Sequence, residues 1–247
     1  MSERWTGAEW EGRDASGRVE AGMDAAGAPD RGGSTAGGRR LSASSRVEAF
    51  SDGVLAIVMT LLVLDLRIPI AEHESTLSQL LDQWPTYLAY LASFGYVGVI
   101  WVNHHQLFTR IGAVDSGLLW CNLALLLATS VLPFPTAVLG RAFQTRRLAD
   151  EITGVVVYAV VATLMAAAWL LLFHYLSRHE RLLARHVSPS FFAAERRRAL
   201  LGVLAYPLAA VVALWQPIAS LVILCALPVF YGLTSEGWRW GRREASQ

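Results

Sequence analysis

The chain has no lysine, few cysteines and almost no excess charge of either sign. All 21 basic residues among its 247 residues are arginines, and 20 acidic residues leave a net charge of +1. So small a net charge gives no electrostatic argument for binding nucleic acid. The two cysteines, Cys121 and Cys225, lie inside apolar runs. This placement is typical of small packing residues and indicates no disulfide framework.

Charged residues are also missing over long stretches. Hydrophobic residues make up 54% of the chain and charged residues only 17%, and after about residue 50 the charges cluster between long uncharged runs. This pattern excludes an ordinary soluble domain and predicts an all-α, multi-pass membrane protein. The N-terminus has neither the charged start nor the short apolar core of a signal peptide. We therefore expect the first membrane helix itself to direct insertion.

The uncharged runs predict six membrane helices. Their expected bounds are about Val47 to Ile68, Leu80 to Phe108, Ser116 to Gly140, Ile152 to Leu176, Ala199 to Trp215 and Pro217 to Leu233. The first has an uncharged centre of only 12 residues, Gly53 to Leu64, which leaves a buried soluble helix as the alternative for that segment alone. Prolines at 133 and 135 predict a bend or break in the third helix, and Gln216-Pro217 predicts a tight turn between the last two.

The same distribution divides the chain into three parts. Residues 1–42 are rich in Gly, Ala, Ser, Asp and Arg and are predicted to be disordered. Residues 43–235 form the predicted membrane domain, and residues 236–247 a short cytoplasmic tail. An excess of arginine on one side of the helices predicts that both termini are cytoplasmic. The arginines on that side are Arg39, Arg40, Arg46, Arg110, Arg178, Arg181, Arg185, Arg196, Arg197, Arg198, Arg239, Arg242 and Arg243, against Arg67, Arg141, Arg146 and Arg147 on the other.

Polar and ionisable residues open the first membrane helix, where Arg46 is followed by Phe50-Ser51-Asp52. Such groups are costly at the mouth of a membrane helix and therefore indicate a functional site with definite partners. The predicted topology brings them to the depth of a polar set at the cytoplasmic end of the second helix. That set consists of Trp101, Asn103, His104 and His105. We expect Arg46, Ser51 and Asp52 to meet Asn103 and one of the histidines in a hydrogen-bonded network.

Metal binding, a structural hydrogen bond and proton sensing are the three roles to consider for His104 and His105. Adjacent helical residues point about 100° apart, so the two rings cannot chelate one ion together, and no metal site is predicted. A structural hydrogen bond is the simplest role. Proton sensing remains an alternative because histidine titrates near neutral pH.

An apolar stripe follows on the first helix. Ile57, Leu61 and Leu64 are spaced to share one helical face. Lipid contact or helix packing would explain this face, but a hydrophobic constriction lining a pore would also do so if several copies surrounded an axis. The segment Gly95-Tyr96-Val97-Gly98 has a superficial likeness to a potassium filter. It lies within a continuous predicted helix, so close helix packing explains its small residues better.

The pattern R-x-x-x-F-S-D at Arg46, Phe50, Ser51 and Asp52, with its apolar continuation, resembles the first helix of the lysosomal potassium channels of the transmembrane-protein-175 family. Trp101, Asn103, His104 and His105 resemble part of that family's second helix. The resemblance in sequence extends over about residues 46–108. After residue 108 the chain resembles the family only in the number and orientation of its predicted membrane helices. The resemblance implies a potassium channel in which the first helix lines a central pore. With one set of six helices per chain, it implies a homotetramer.

The main hypothesis is therefore a potassium-selective channel in a bacterial plasma membrane, whose pore is narrowed by Ile57, Leu61 and Leu64 instead of a carbonyl filter. Arg46, Phe50, Ser51 and Asp52 would hold the pore helix to its neighbours. No cofactor is expected besides the permeant potassium ion, and the expected partners are the bilayer and further copies of the chain. A proton-coupled secondary transporter is the alternative, although inverted repeats are not evident. An enzyme is not expected, because no nucleophilic or metal-chelating spacing stands out.

Overall fold

The computed structural model describes residues 35–66, 75–184, 187 and 189–234. Within these residues the chain is almost entirely helical, with eight α-helices and two short 3₁₀ turns. The helices are α1 (Thr35–Leu62), α2 (Thr76–Asp82), α3 (Trp84–Phe108), α4 (Ser116–Ser130), α5 (Pro133–Thr145), α6 (Leu148–Arg178), α7 (Pro189–Ala213) and α8 (Pro217–Thr234).

Prolines and capping side chains set several of these boundaries. The predicted break near Pro133 is confirmed, because α4 ends at Ser130 and α5 begins at Pro133. The predicted turn at Gln216-Pro217 is confirmed as well, since α7 ends at Ala213 and α8 starts at Pro217. Proline fits the first turn of a helix, where its missing N–H costs nothing, and disfavours continuation from the preceding turn. Helices α7 and α8 nevertheless accommodate Pro207 and Pro228 in their interiors.

Several predicted helix bounds differ from the structure, and α7, for example, begins at Pro189 rather than Ala199. The second membrane helix begins at Trp84 rather than Leu80, because Pro85 occupies the first turn of α3 and the preceding residues form the separate helix α2. Helix α1 begins at Thr35, so residues 35–42 are helical although the sequence predicted disorder through residue 42. The rest of that tail, and the C-terminal tail from residue 235, lie outside the described residues.

Within the described residues, five segments are long and apolar enough to cross a membrane. They are Ser44–Asp65, Trp84–Phe108, Ser116–Thr145, Leu148–Arg178 and Pro217–Thr234. The third comprises both α4 and α5. The chain is therefore a multi-pass membrane protein. Helix α7 does not qualify by itself, because its first half carries the run Glu195-Arg196-Arg197-Arg198.

Helix α6 is the centre of the bundle and α1 lies at its edge. Helix α6 packs against α4, α5, α7 and α8. Half of the residues in its most apolar stretch are buried. In the most apolar stretch of α1, only 22% of the residues are buried within the chain. An apolar helix that its own subunit covers so incompletely must contact either lipid or another copy of the chain.

Several contacts bring the start of α1, the end of α8 and two loops to the same end of the bundle. The loops after α3 and after α6 pair through Gly112 N–H donating to Leu182 C=O (2.8 Å) and Ala184 N–H donating to Arg110 C=O (2.9 Å). The Ser44 hydroxyl of α1 donates to Ile111 C=O at 3.4 Å. Arg198 of α7 donates to the C=O of Thr234 at the end of α8. The arginines predicted to be cytoplasmic on these segments therefore share one end.

Asp115 ties this end of the bundle together. Its carboxylate caps α4 by accepting from Leu118 N–H (2.9 Å), and it accepts further bonds from the Tyr175 hydroxyl (3.0 Å) and Arg181 (3.3 Å). Gly117 makes the tyrosine contact possible, because a Cβ there would overlap the Tyr175 hydroxyl. The Leu118 hydrogen bond is the main cause of a lowered pKa at Asp115, with smaller contributions from Tyr175 and Arg181.

Replacing Asp115 with alanine is expected to lower the free energy of unfolding by about 1 kcal/mol through loss of the helix cap. Asp115→Asn is the matched control, since asparagine also caps helices but cannot pair with Arg181. The lowered native pKa means that the carboxylate stabilises the fold above its unfolded-state pKa and loses this effect as pH falls through the native pKa. The stability gap between wild type and Asp115→Asn, measured by thermal unfolding in detergent, should therefore begin to narrow at about pH 4 and close only once the pH lies below the native pKa. A gap that persists there would contradict the ionic role.

Candidate functional site

Helix α1 has two clearly different faces. One face is buried within the chain and comprises Ser51, Leu55, Val58 and Leu62. A second face, roughly 110° around the helix from the first, exposes large apolar side chains. This apolar face of α1 comprises Phe50 (59% exposed), Ile57 (59%) and Leu61 (41%), and Leu64 (62%) continues it in the 3₁₀ turn that follows α1. Ile57 and Leu61 therefore lie on one face of α1, and none of Ile57, Leu61 and Leu64 is buried against its own subunit.

A hydrogen-bonded chain of three buried polar side chains anchors the other face of α1. His104 Nε2 lies 2.9 Å from Asn122 Oδ1, Asn122 Nδ2 donates to Ser51 Oγ at 2.9 Å, and the Ser51 hydroxyl donates to the C=O of Val47, also at 2.9 Å. This buried polar chain, Ser51–Asn122–His104, joins α1, α4 and α3. With the amide in this orientation its oxygen can only accept, so His104 must carry its proton on Nε2.

Two further pairs join α1 to α3 closer to the surface. The Trp101 indole donates to Asp52 Oδ1 at 3.0 Å, and His105 Nδ1 lies 2.8 Å from Glu48 Oε1. Each helix contributes residues four positions apart, so both pairs lie on one side of the helix contact. The Trp101 and His105 rings also stack, with centroids 6.5 Å apart.

The structure brings together most, but not all, of the polar residues that the sequence singled out. Arg46 is exposed and, among the described residues, makes no hydrogen bond or ion pair with Ser51 or Asp52. It lies five residues before Ser51 and so points about 140° away from it around the helix. Asn103 lines a separate cavity between α3, α6, α7 and α8, together with Glu195 and Arg198. The expectation that Arg46 and Asn103 belong to the network is therefore corrected.

Sequence reasoning also missed two members. Asn122 is the amide that bridges Ser51 and His104, and Glu48 pairs with His105. Glu48 had a signal, because it lies one helical turn before Asp52 on the same face. Asn122 had a weaker signal, as an amide within an otherwise apolar run.

A second buried polar group holds α3 to α5 and α6 deeper in the bundle. The Thr136 hydroxyl donates to Ser93 Oγ at 2.8 Å, and Ser93 Oγ lies 3.1 Å from the Tyr158 hydroxyl. Thr136 and Ser93 are each no more than 2% exposed. Helix α3, on which α1 rests, is therefore fixed by polar contacts at two depths.

The described residues include no group of three or more His, Cys, Asp or Glu side chains placed to hold a metal ion. His104 and His105 contact different partners on different helices. Their geometry suits hydrogen bonding between helices, which was the simplest of the roles considered for them.

The fold and this site define a multi-pass α-helical membrane protein in which the apolar helix α1 is incompletely covered and is held by polar contacts. A family model described as the endosomal/lysosomal potassium channel TMEM175 matches residues 46–133. A potassium channel of Streptomyces collinus is 38% identical over 78% of this chain and 93% of its own length. The endosomal/lysosomal proton channel TMEM175 of Gallus gallus is 46% identical, but only over 28% of this chain and 16% of that protein.

A solved structure agrees with these sequence matches. The crystal structure of a lysosomal potassium-selective channel TMEM175 homolog from Chamaesiphon minutus has a TM-score of 0.68 and 31% identity, covering 78% of this chain and 97% of that one. The chain belongs to the TMEM175 family, so the resemblance seen in the sequence is confirmed. Membership of a channel family also agrees with the expectation that the chain is not an enzyme.

Proposed function

We propose that the chain is a potassium-selective channel that assembles as a homotetramer in a bacterial plasma membrane. Four copies of α1 would surround the symmetry axis, and potassium ions would pass between them. The potassium-channel relatives from Streptomyces collinus and Chamaesiphon minutus support the ion assignment. Closed cyclic symmetry supplies the central pathway that one subunit cannot enclose.

The apolar face of α1 is the observation that carries this proposal. The buried face of α1 packs on α3 and α4, whereas Ile57, Leu61 and Leu64 are 41–62% exposed. Polar contacts fix the rotation of α1, so this face has a definite direction. In a ring of subunits with α1 at the centre, Ile57, Leu61 and Leu64 would form successive apolar rings.

Such rings would constrict the pore without a carbonyl filter. Narrow apolar rings hold back water and require an ion to shed much of its hydration. The segment Gly95–Gly98 offers no alternative filter, because α3 runs unbroken from Trp84 to Phe108 and its carbonyls there are engaged in helical hydrogen bonds.

The proposed topology has six crossings with both termini in the cytoplasm. Helix α7 starts beside the loop after α3, since Arg110 lies over the Phe191 ring at 4.4 Å. Helix α8 returns to Arg198 at its end. Because α8 ends at the side of the membrane where α7 begins, the apolar second half of α7 must cross the membrane in the other direction. This supports a sixth span. The arginine-rich end would face the cytoplasm.

Planar-bilayer recording of the purified full-length chain tests the function. With potassium and sodium on opposite sides, we expect discrete single-channel steps and a reversal potential close to the potassium equilibrium potential. Saturable flux without unitary steps, dependent on a proton gradient, would instead establish the proton-coupled transporter and overturn the channel. Mass determination in detergent tests the tetramer separately.

A further inference from the structure

A cavity lined by arginines lies at the arginine-rich end of the bundle, away from α1. It has a volume of about 530 Å³ and lies between the end of α6, the loop that follows and the first turns of α7. Its basic wall comprises Arg178, Arg181 and Arg196, and its apolar wall comprises Leu183, Val187 and Phe192. We propose that this cavity binds the headgroup of an anionic phospholipid from the cytoplasmic leaflet.

The cavity keeps a net positive charge, because three arginines face two carboxylates. Arg181 shares its charge with Asp115 at 3.3 Å, and Glu180 supplies one negative charge to the lining. Arg178 and Arg196 are exposed, and in the described part of the chain neither makes an ion pair. Arg198, by contrast, pairs with Glu195 at 2.6 Å. Guanidinium groups suit phosphate because they donate parallel hydrogen bonds to its oxygens.

The position of the cavity selects a lipid over a soluble anion. Arg178 is the last residue of the membrane segment Leu148–Arg178, and Arg196 lies three residues before the uncharged part of α7. The basic wall therefore lies at the boundary between hydrocarbon and water, where basic pockets between membrane helices bind anionic headgroups. The apolar wall, through the half-buried Leu183 and Val187, gives the upper part of an acyl chain a surface that a free phosphate would not use.

Lipid binding to purified full-length protein tests this proposal. Native mass spectrometry in neutral detergent would be used to titrate phosphatidylglycerol and, separately, phosphatidylcholine. We expect saturable binding of phosphatidylglycerol and much weaker binding of phosphatidylcholine. Each arginine near a membrane surface favours anionic lipid by about fivefold in affinity, so Arg178→Gln/Arg196→Gln should weaken phosphatidylglycerol binding roughly 30-fold.

The matched control is Arg141→Gln/Arg197→Gln, which removes the same charge from exposed arginines that do not line the cavity. Retained affinity in this control, with loss in the first variant, supports the site. Equal loss in both variants would show unspecific attraction and overturn it, as would unchanged binding in Arg178→Gln/Arg196→Gln. Displacement of phosphatidylglycerol by millimolar inorganic phosphate would overturn the lipid in favour of a soluble anion. No current is measured, so failure here is distinguishable from failure of the proposed channel.

Discussion

Leu61→Ala is expected to raise the single-channel conductance and to reduce the preference for potassium over sodium. In the proposed tetramer the substitution shortens four side chains in one ring of the constriction, so an ion could keep more of its water while crossing. A barrier lowered by 1.4 kcal/mol corresponds to a tenfold faster step, so we expect an increase in conductance of roughly three- to tenfold. Ile57→Ala should act in the same direction. Bilayer recordings under mixed potassium and sodium gradients measure both quantities.

Leu164→Ala is the matched control for this experiment. Leu164 lies on α6, is 57% exposed and belongs to a membrane segment that the proposal leaves facing away from the pore. Its truncation should leave conductance and selectivity unchanged. The exposure of Leu61 means that few contacts within its own subunit are lost, so a change in current reports on the pathway instead of on folding. Wild-type currents in both Ile57→Ala and Leu61→Ala would place the pathway elsewhere.

The helical architecture and several of its breaks could be predicted from sequence because the bilayer restricts the choices. Long uncharged runs have to be helices when no water is available to their backbone groups. Prolines at 133 and 217 then mark helix starts for local steric reasons that need no knowledge of the tertiary structure. The start of α3 was misplaced although Pro85 carried the same local signal. The start of α1 was misplaced because composition alone does not reveal how far a helix extends beyond its apolar part.

The polar site was only partly predictable from the sequence. The topology predicts the depth of each residue in the membrane, but it does not predict how each helix is rotated about its own axis. Opposite helix directions place Asp52 and Trp101 at one depth, and the structure joins them. Which face of each helix points inward depends on packing against a third helix. Asn103 and His104 are polar sequence neighbours, yet only His104 joins the buried polar chain, through Asn122 of α4. Asn122 lies on α4, and no pattern in the sequence predicts which residues of α4 contact α1.

Replacing Asn122 with leucine is expected to destabilise the protein strongly. Asn122 is 3% exposed and holds both Ser51 and His104. Leucine has a similar size but leaves the buried His104 Nε2–H without its acceptor and Ser51 Oγ without its donor. Each unpaired buried group costs about 1–3 kcal/mol. We expect a clearly lower unfolding temperature in detergent, together with loss of the tetramer or of current, because the rotation of α1 is no longer fixed.

Asn103→Leu is the control that separates the observed site from the one expected from sequence. It makes the same chemical change in an asparagine that lines the cavity beside Glu195 and Arg198 and contributes nothing to the buried polar chain. It should therefore lower the unfolding temperature less than Asn122→Leu does. Combining Ser51→Ala with Asn122→Leu should cost less than the sum of the single changes, because the two side chains share one hydrogen bond. Strict additivity, or an Asn103→Leu variant as damaged as Asn122→Leu, would show that the chain Ser51–Asn122–His104 does not hold α1 in place.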